Sequence, residues 1–327
     1  PLLLALAQAL VANGELEAAA KILQRIYYEF PLSPQAEPSN QLLNELRPQL
    51  GPHYPIPSEA LRNTRAQRLW AAQAYQGARS AYVDLSVRAS EPTRQRARLR
   101  AAQAFYHLGG GPRACTELQD ISQVAPELEA EWHAYRAQCR LQGNDPYGFE
   151  RELEVLATQF AGTDWYAQEL FAGGSYFLAT GDLARARTAL ERLLEKFPQS
   201  PWRAESHWKL AWLCYLAGDT AAAARLMEEH LLQFADAAFV PRALYWRARL
   251  AERAGEVTLA AQLIELLRTH YPRHYLSQQA LPPAGQAAQK QWAKAPAATS
   301  NGAGIHAASP AWVKAIPLVQ PKLEPQP

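Results

Sequence analysis

The chain has 327 residues, 48% hydrophobic and 20% charged, which supplies material for a sizeable core and excludes disorder throughout. Net charge is +2, and before residue 282 the two signs nearly cancel, so the balance does not point to nucleic acid. No run reaches the roughly 18 apolar residues of a membrane span.

In chain order, Leu2 to Ala7 could pass for the end of a signal peptide. Gly14 then offers a turn, and Ala19, Phe30 and Pro31 follow at spacings that recur later, so the segment reads as the first helix of a hairpin. Pro48, Pro52, Pro55 and Pro57 mark a short loop, with helices expected over 58–74, 77–90 and 92–108. Arg94, Arg96, Arg98 and Arg100 suggest a nucleic-acid patch, but alternate residues do not share a helix face, and a solvated surface is the better expectation. Gly109 centres a looser hairpin with Leu99, Ala102, Ala114, Ala125 and Pro126; Gly143-Asn144-Asp145 marks a degenerate one.

The pattern is sharpest at Gly181, Gly218 and Gly255, 37 residues apart and each followed by an acid. Ten residues before them stand Phe171, Trp208 and Tyr245; seven before, Gly174, Ala211 and Ala248. Five after stand Ala186, Ala223 and Ala260; sixteen after, Phe197, Phe234 and Tyr271, with Pro198 and Pro272 next in two copies. These columns describe a helix hairpin. Small residues let its two backbones approach, aromatics (Trp246 among them) fill the groove between hairpins, and the proline stops the second helix. No single hairpin buries both of its faces, so the copies must stack. The expected fold is all-α, an α-solenoid of stacked antiparallel hairpins over 1–281. Residues 282–327, with 8 of the 24 prolines, are expected to be a disordered linker or tail. Residue 1 is proline and the sole methionine is Met227, which reads as a chain processed or cut from a longer one, with something following the linker.

Spacings of +5 for alanine and +17 for proline resemble the tetratricopeptide repeat, stretched here to about 37 residues. The last copy is more particular. Ala243-Leu244-Tyr245-Trp246-Arg247-Ala248-Arg249, Gly255, Ala260 and the segment from Tyr271 to Ala280 resemble the end of the helical superhelix of soluble lytic murein transglycosylases. His274 and Ser277 depart from that family's Pro-x-x-Tyr-Tyr-Gly-type segment. The resemblance implies a periplasmic or envelope protein acting on peptidoglycan, whose catalytic Glu belongs to a Glu-Ser dipeptide with a Gly-Leu-Met-Gln segment. Glu205-Ser206 is present, but just after Pro201 at the start of a repeat helix, and Met227 does not complete the partner motif.

No other catalytic signature stands out, and no cofactor is expected. His270 and His274 have i, i+4 spacing, yet Pro272 interrupts the helix that would align them on a metal. Gly109-Gly110-Gly111-Pro112 lacks the Lys and Ser/Thr of a phosphate loop. Cys115, Cys139 and Cys214 fit no metal spacing; a Cys115–Cys139 bridge is open in an oxidising compartment, with buried free thiols preferred on the odd count. The expected function is the non-catalytic scaffold of a peptidoglycan lytic transglycosylase, positioning a catalytic domain and guiding glycan strands. The alternative is a stand-alone tetratricopeptide scaffold for proteins or peptides of the cell envelope.

Overall fold

Each hairpin turns on one left-handed residue. φ is +82° at Gly14, +78° at Gly109, +84° at Gly181 and +81° at both Gly218 and Gly255, a conformation that glycine adopts freely and that costs a residue with a Cβ about 1–2 kcal/mol. At the Gly218 turn, Gly218 N–H donates to the Tyr215 carbonyl at 3.1 Å and Asp219 N–H to the Cys214 carbonyl at 3.0 Å, which closes the first helix. The Asp219 carboxylate then accepts from Ala222 N–H at 3.0 Å, and Asp182 likewise from Arg185 N–H at 3.1 Å, opening the second helix. Glu15 and Glu256, in the same column, make no such cap.

The computed structural model describes residues 1–279 and 311–317, which are helical with short connections. They divide into two compact units, Pro1–Tyr166 and Ala167–Pro327. The first contains α1 (Leu2–Ala12), α2 (Leu16–Glu29), α3 (Ala36–Leu50), α4 (Glu59–Ala71), α5 (Tyr75–Arg88), α6 (Thr93–His107), α7 (Gly111–Gln119), α8 (Glu129–Gln142) and α9 (Pro146–Gln159). Most of α10 (Asp164–Thr180) lies in the second, with α11 (Leu183–Lys196), α12 (Arg203–Leu216), α13 (Thr220–Gln233), α14 (Val240–Arg253), α15 (Val257–His270), α16 (Tyr275–Gln279) and α17 (Ala311–Lys314). Each unit is a stack of helix hairpins, the all-α solenoid arrangement expected from the repeat.

The small-residue columns lie where backbones approach. Ala19, Ala186, Ala211, Ala223 and Ala248 are fully buried and Ala260 nearly so. A Cβ on Gly174 would stand 2.7 Å from the Leu190 side chain across the α10–α11 hairpin. Phe30, Phe197, Phe234 and Tyr271 each end a second helix, with their N–H groups bonded back one turn to Ile26, Leu193, His230 and Leu267. Phe234 does this without the following proline that Pro31, Pro198 and Pro272 provide elsewhere, so the proline reinforces a stop already set by the aromatic residue.

Several expectations are corrected. The α4–α5 hairpin turns on Gln73 (φ +57°), so the repeat continues where no glycine marks it, and the degenerate copy at Gly143-Asn144-Asp145 turns on Asn144 (φ +53°) rather than on its glycine. Pro48 lies inside α3, close enough to its end that the lost hydrogen bond does not stop the helix. The prolines of the loop itself are Pro52, Pro55 and Pro57. One of the four arginines on α6 is not solvated surface: Arg100 binds the buried Glu131 carboxylate, whereas Arg96 pairs with Glu127 at 3.0 Å on the exposed side. Cys115 and Cys139 are not free thiols but a disulfide joining α7 to α8, while Cys214 is free and buried. Most of the expected tail lies outside the described residues. Its described stretch, 311–317, holds the short α17, whose Val313 is buried in the core of the second unit.

Candidate functional site

Two surfaces gather side chains with binding chemistry, one in each unit. In the second, the −10 column and its neighbours build an aromatic cluster. Trp208 is buried and stacks on Phe239, with ring planes 12° apart. Half-buried Trp212 lies 4.9 Å from Tyr215 and 4.9 Å from Trp246, and Tyr215 lies 5.1 Å from Trp246. Tyr245 meets Trp246 edge-on at 5.5 Å. These rings pack against the core around Met227 and Leu263, Trp208 within it and Trp212, Tyr215, Tyr245 and Trp246 half-buried beside it, so they serve hairpin stacking first.

Beside them lies an ion-pair network that the repeat columns do not announce. Arg247 is buried on α14; its Nε donates to Glu228 on α13 at 2.6 Å and its Nη2 to Glu256 at 3.2 Å. Glu256 follows the turn glycine, which explains why it does not cap α15: it reaches back to the first helix instead. The guanidinium carbon also lies 5.9 Å from the centre of the Trp312 ring. The signal available in the sequence was an arginine one residue before the −7 alanine, but a surface position there has the same spacing.

In the first unit a groove of about 580 Å³ opens between α2, α3, α4, α5 and the 54–57 loop. Arg47, Arg62 and Arg65 line it. Arg65 donates to the Tyr27 carbonyl at 2.7 Å with its guanidinium 3.7 Å from the centre of the Tyr27 ring, and Arg47 lies 5.1 Å from the centre of the Tyr54 ring. Burial pushes the Tyr28 hydroxyl above its usual range, so it faces the groove as a neutral donor.

The catalytic candidates take structural places. Glu205 sits in the first turn of α12, paired with Lys209 at 2.8 Å, and Lys209 also donates to Ser175 at 2.6 Å. His274 Nδ1 accepts from Leu276 N–H at 3.2 Å, which opens α16 rather than presenting a ligand beside His270. Among the described residues no three His, Cys, Asp or Glu side chains converge as a metal site would require.

Residues 2–33, the α1–α2 hairpin and the turn after it, match the tetratricopeptide repeat family. Residues 163–270, the three hairpins from α10 to α15, match the outer membrane lipoprotein family YfiO. No curated protein matches the chain. Among solved structures, the APC/C heterotetramer Cut9–Hcn1 is similar at 15% identity and a TM-score of 0.45, covering 86% of this chain and 55% of that one. The chain thus spans about half the length of that relative. The TPR domain of P58(IPK) is similar at 17% identity and a TM-score of 0.34, covering 90% and 99%. The helix hairpins are thus of tetratricopeptide type where residues 2–33 match that family, and the stretch 163–270 is similar to an outer membrane lipoprotein family.

Proposed function

We propose that this chain is a protein-binding scaffold of the cell envelope, its helix hairpins presenting side chains to partner proteins. The observation that carries the proposal is the match of three successive hairpins, 163–270, to an outer membrane lipoprotein family. The Cys115–Cys139 bridge supports the compartment, because such bonds persist in oxidising surroundings such as a periplasm and are rare in reducing ones. Cell fractionation with thiol trapping, followed by chemical cross-linking, tests both parts. The chain is expected with the envelope, with Cys115 and Cys139 oxidised and discrete proteins cross-linked to it. Recovery from the cytoplasm with both thiols reduced would count against the reading.

A second reading keeps the transglycosylase resemblance, and one local arrangement favours it. Tyr245, Trp246 and Arg249 share α14, the chain turns at Gly255, and Tyr271-Pro272 leads directly into α16, following the order of that family's superhelix end. On this reading the hairpins position a catalytic domain and guide glycan strands past Trp212 and Trp246. Sedimentation of the full chain with purified peptidoglycan separates the two readings. Pelleting reduced by Trp246→Ala is expected if strands are guided, and retention in the supernatant would sink this version.

A further inference from the structure

The residue 37 positions after Gly14 is Gly51, and it ends α3 with φ +51°. By the register of the repeat, α3 is the first helix of a second copy. Its second helix never forms: Pro52, Pro55 and Pro57 follow, and the chain runs through a 3-10 turn and an extended segment until α4 begins at Glu59. Pro55 is held down by Gln24, whose side-chain amide donates to its carbonyl. The groove between α2, α3, α4 and α5 opens beside this helix-free segment, with Tyr54, Ile56 and Pro57 in its lining.

Its charges are unbalanced. Elsewhere in this unit, arginines between helices find carboxylates: Arg79 with Glu117 at 2.8 Å, Arg96 with Glu127 at 3.0 Å and Arg136 with Glu152 at 2.8 Å. Among the described residues, Arg47, Arg62 and Arg65 make no such pair. Of the acids in the groove, Asp84 is taken by Arg88 at 2.7 Å, and Glu37, which accepts from Asn40 at 3.4 Å, acts on Arg65 through space without pairing with it, so Arg47, Arg62 and Arg65 stand against one unpaired carboxylate. The Nε of Arg62 is buried and has no hydrogen-bond partner. That nitrogen is closed to the groove as it is to water, so a ligand meets Arg62 at its two Nη groups, whose fork matches a carboxylate. Around the arginines, Asn40 and Asn44 stand one turn apart on α3, and the Ile56 side chain, 83% exposed, lies at the rim.

We propose that this groove binds a carboxylate-bearing segment of a partner protein, laid beside the helix-free 54–57 segment. The carboxylates pair with Arg47, Arg62 and Arg65, while Asn40 and Asn44 bond the backbone or polar side chains and Ile56 covers an apolar residue. The proposal rests on the protein-binding reading and gives that reading a partner chemistry.

Selection of a random 12-residue peptide display library on the full chain tests it. Enriched peptides are expected to carry Asp or Glu at two or more positions. Synthetic copies with Gln or Asn in those positions should bind about tenfold more weakly, as should the acidic peptides to Arg62→Gln. Arg62 is half-buried, so its variant is checked for an unchanged melting curve. Arg47→Gln, on the exposed face of α3, provides a second variant, with an expected loss of about fivefold. Raising salt from about 50 to 300 mM should weaken binding further. Enrichment without acids, no enrichment, indifference to both variants, or equal competition by a soluble muropeptide would each overturn the proposal. If no peptide is enriched yet the chain still cross-links envelope proteins, the groove assignment fails and the scaffold reading stands. If acidic peptides bind as described but no envelope protein is cross-linked, the groove stands and the scaffold reading fails.

Discussion

Gln73 and Asn144 occupy turns that five other hairpins give to glycine, with φ of +57° and +53°. A side chain in that region brings its Cβ against the following carbonyl at a cost of about 1–2 kcal/mol, which Asn offsets better than Gln because its short amide bonds locally. Gln73→Gly should therefore stabilise the first unit by up to about 1 kcal/mol, the glycine's added freedom when unfolded taking back part of the gain. Gly218→Ala should cost about 1 kcal/mol; nothing lies within 4 Å of the added Cβ, so backbone strain is the whole penalty. Urea unfolding of the three proteins measures both effects, and a destabilised Gln73→Gly would contradict the account. The same two residues show why the repeat was only half legible. A glycine column advertises the left-handed turn and Asn144 with its following acid hints at it, whereas Gln73 adopts it because the flanking helices must still pack, a tertiary demand that leaves no local mark.

Among the helices, α7 is the short member of its hairpin, nine residues against fifteen in α6. Three of its residues, Ala114, Cys115 and Leu118, are buried. The Cys115–Cys139 bond ties it to α8 across 24 residues of sequence, a loop whose closure stabilises a fold by about 3 kcal/mol in the chain-entropy account. Reduction with dithiothreitol should lower the melting temperature and expose α7 to proteolysis first. A Cys115→Ala/Cys139→Ala chain should start from the lower value and ignore the reductant; an unchanged melt of the reduced wild type would show the staple to be idle. The odd cysteine count concealed this pairing, because Cys214, buried on α12, is a packing residue that happens to carry sulfur. Helix positions were better marked than helix faces. The helices expected over 58–74, 77–90 and 92–108 fold as α4, α5 and α6, yet the turn of α6 that sends Arg96 and Arg100 toward acids is set by which face Leu99 buries.

Over the whole molecule, left-handed turn residues recur every 35 to 37 positions from Gln73 to Gly255, so the stability of each unit is a sum of similar hairpins and their interfaces, and one costly interface lowers that sum. The α12–α13 hairpin contains such an interface. His207 and His230 stack at 5.6 Å, and neither ring nitrogen of His230 has a hydrogen-bond partner. Burial, aided by the charge on His207, pushes the His230 pKa down to about 3, and burial also lowers that of His207, where Glu229 pulls upward and Arg203 and Arg225 downward. The sign follows from proton counts. Below the ordinary histidine value near 6.5, the unfolded chain takes up protons that the folded chain refuses, so stability is complete above that pH and drains as pH falls toward 3. His230 contributes on the order of 1 kcal/mol per pH unit within that window, and His207 acts in the same direction. Between pH 7 and 5 most carboxylates remain ionised, which makes the interval diagnostic. The wild-type chain should lose stability steadily across it, and His230→Phe, which removes two orphaned nitrogens from the company of Trp208 and Phe234, should flatten the loss while leaving the pH 7 value equal or higher. Urea titrations at the two pH values give the slopes directly; equal slopes for both proteins would place the acid sensitivity elsewhere in the stack.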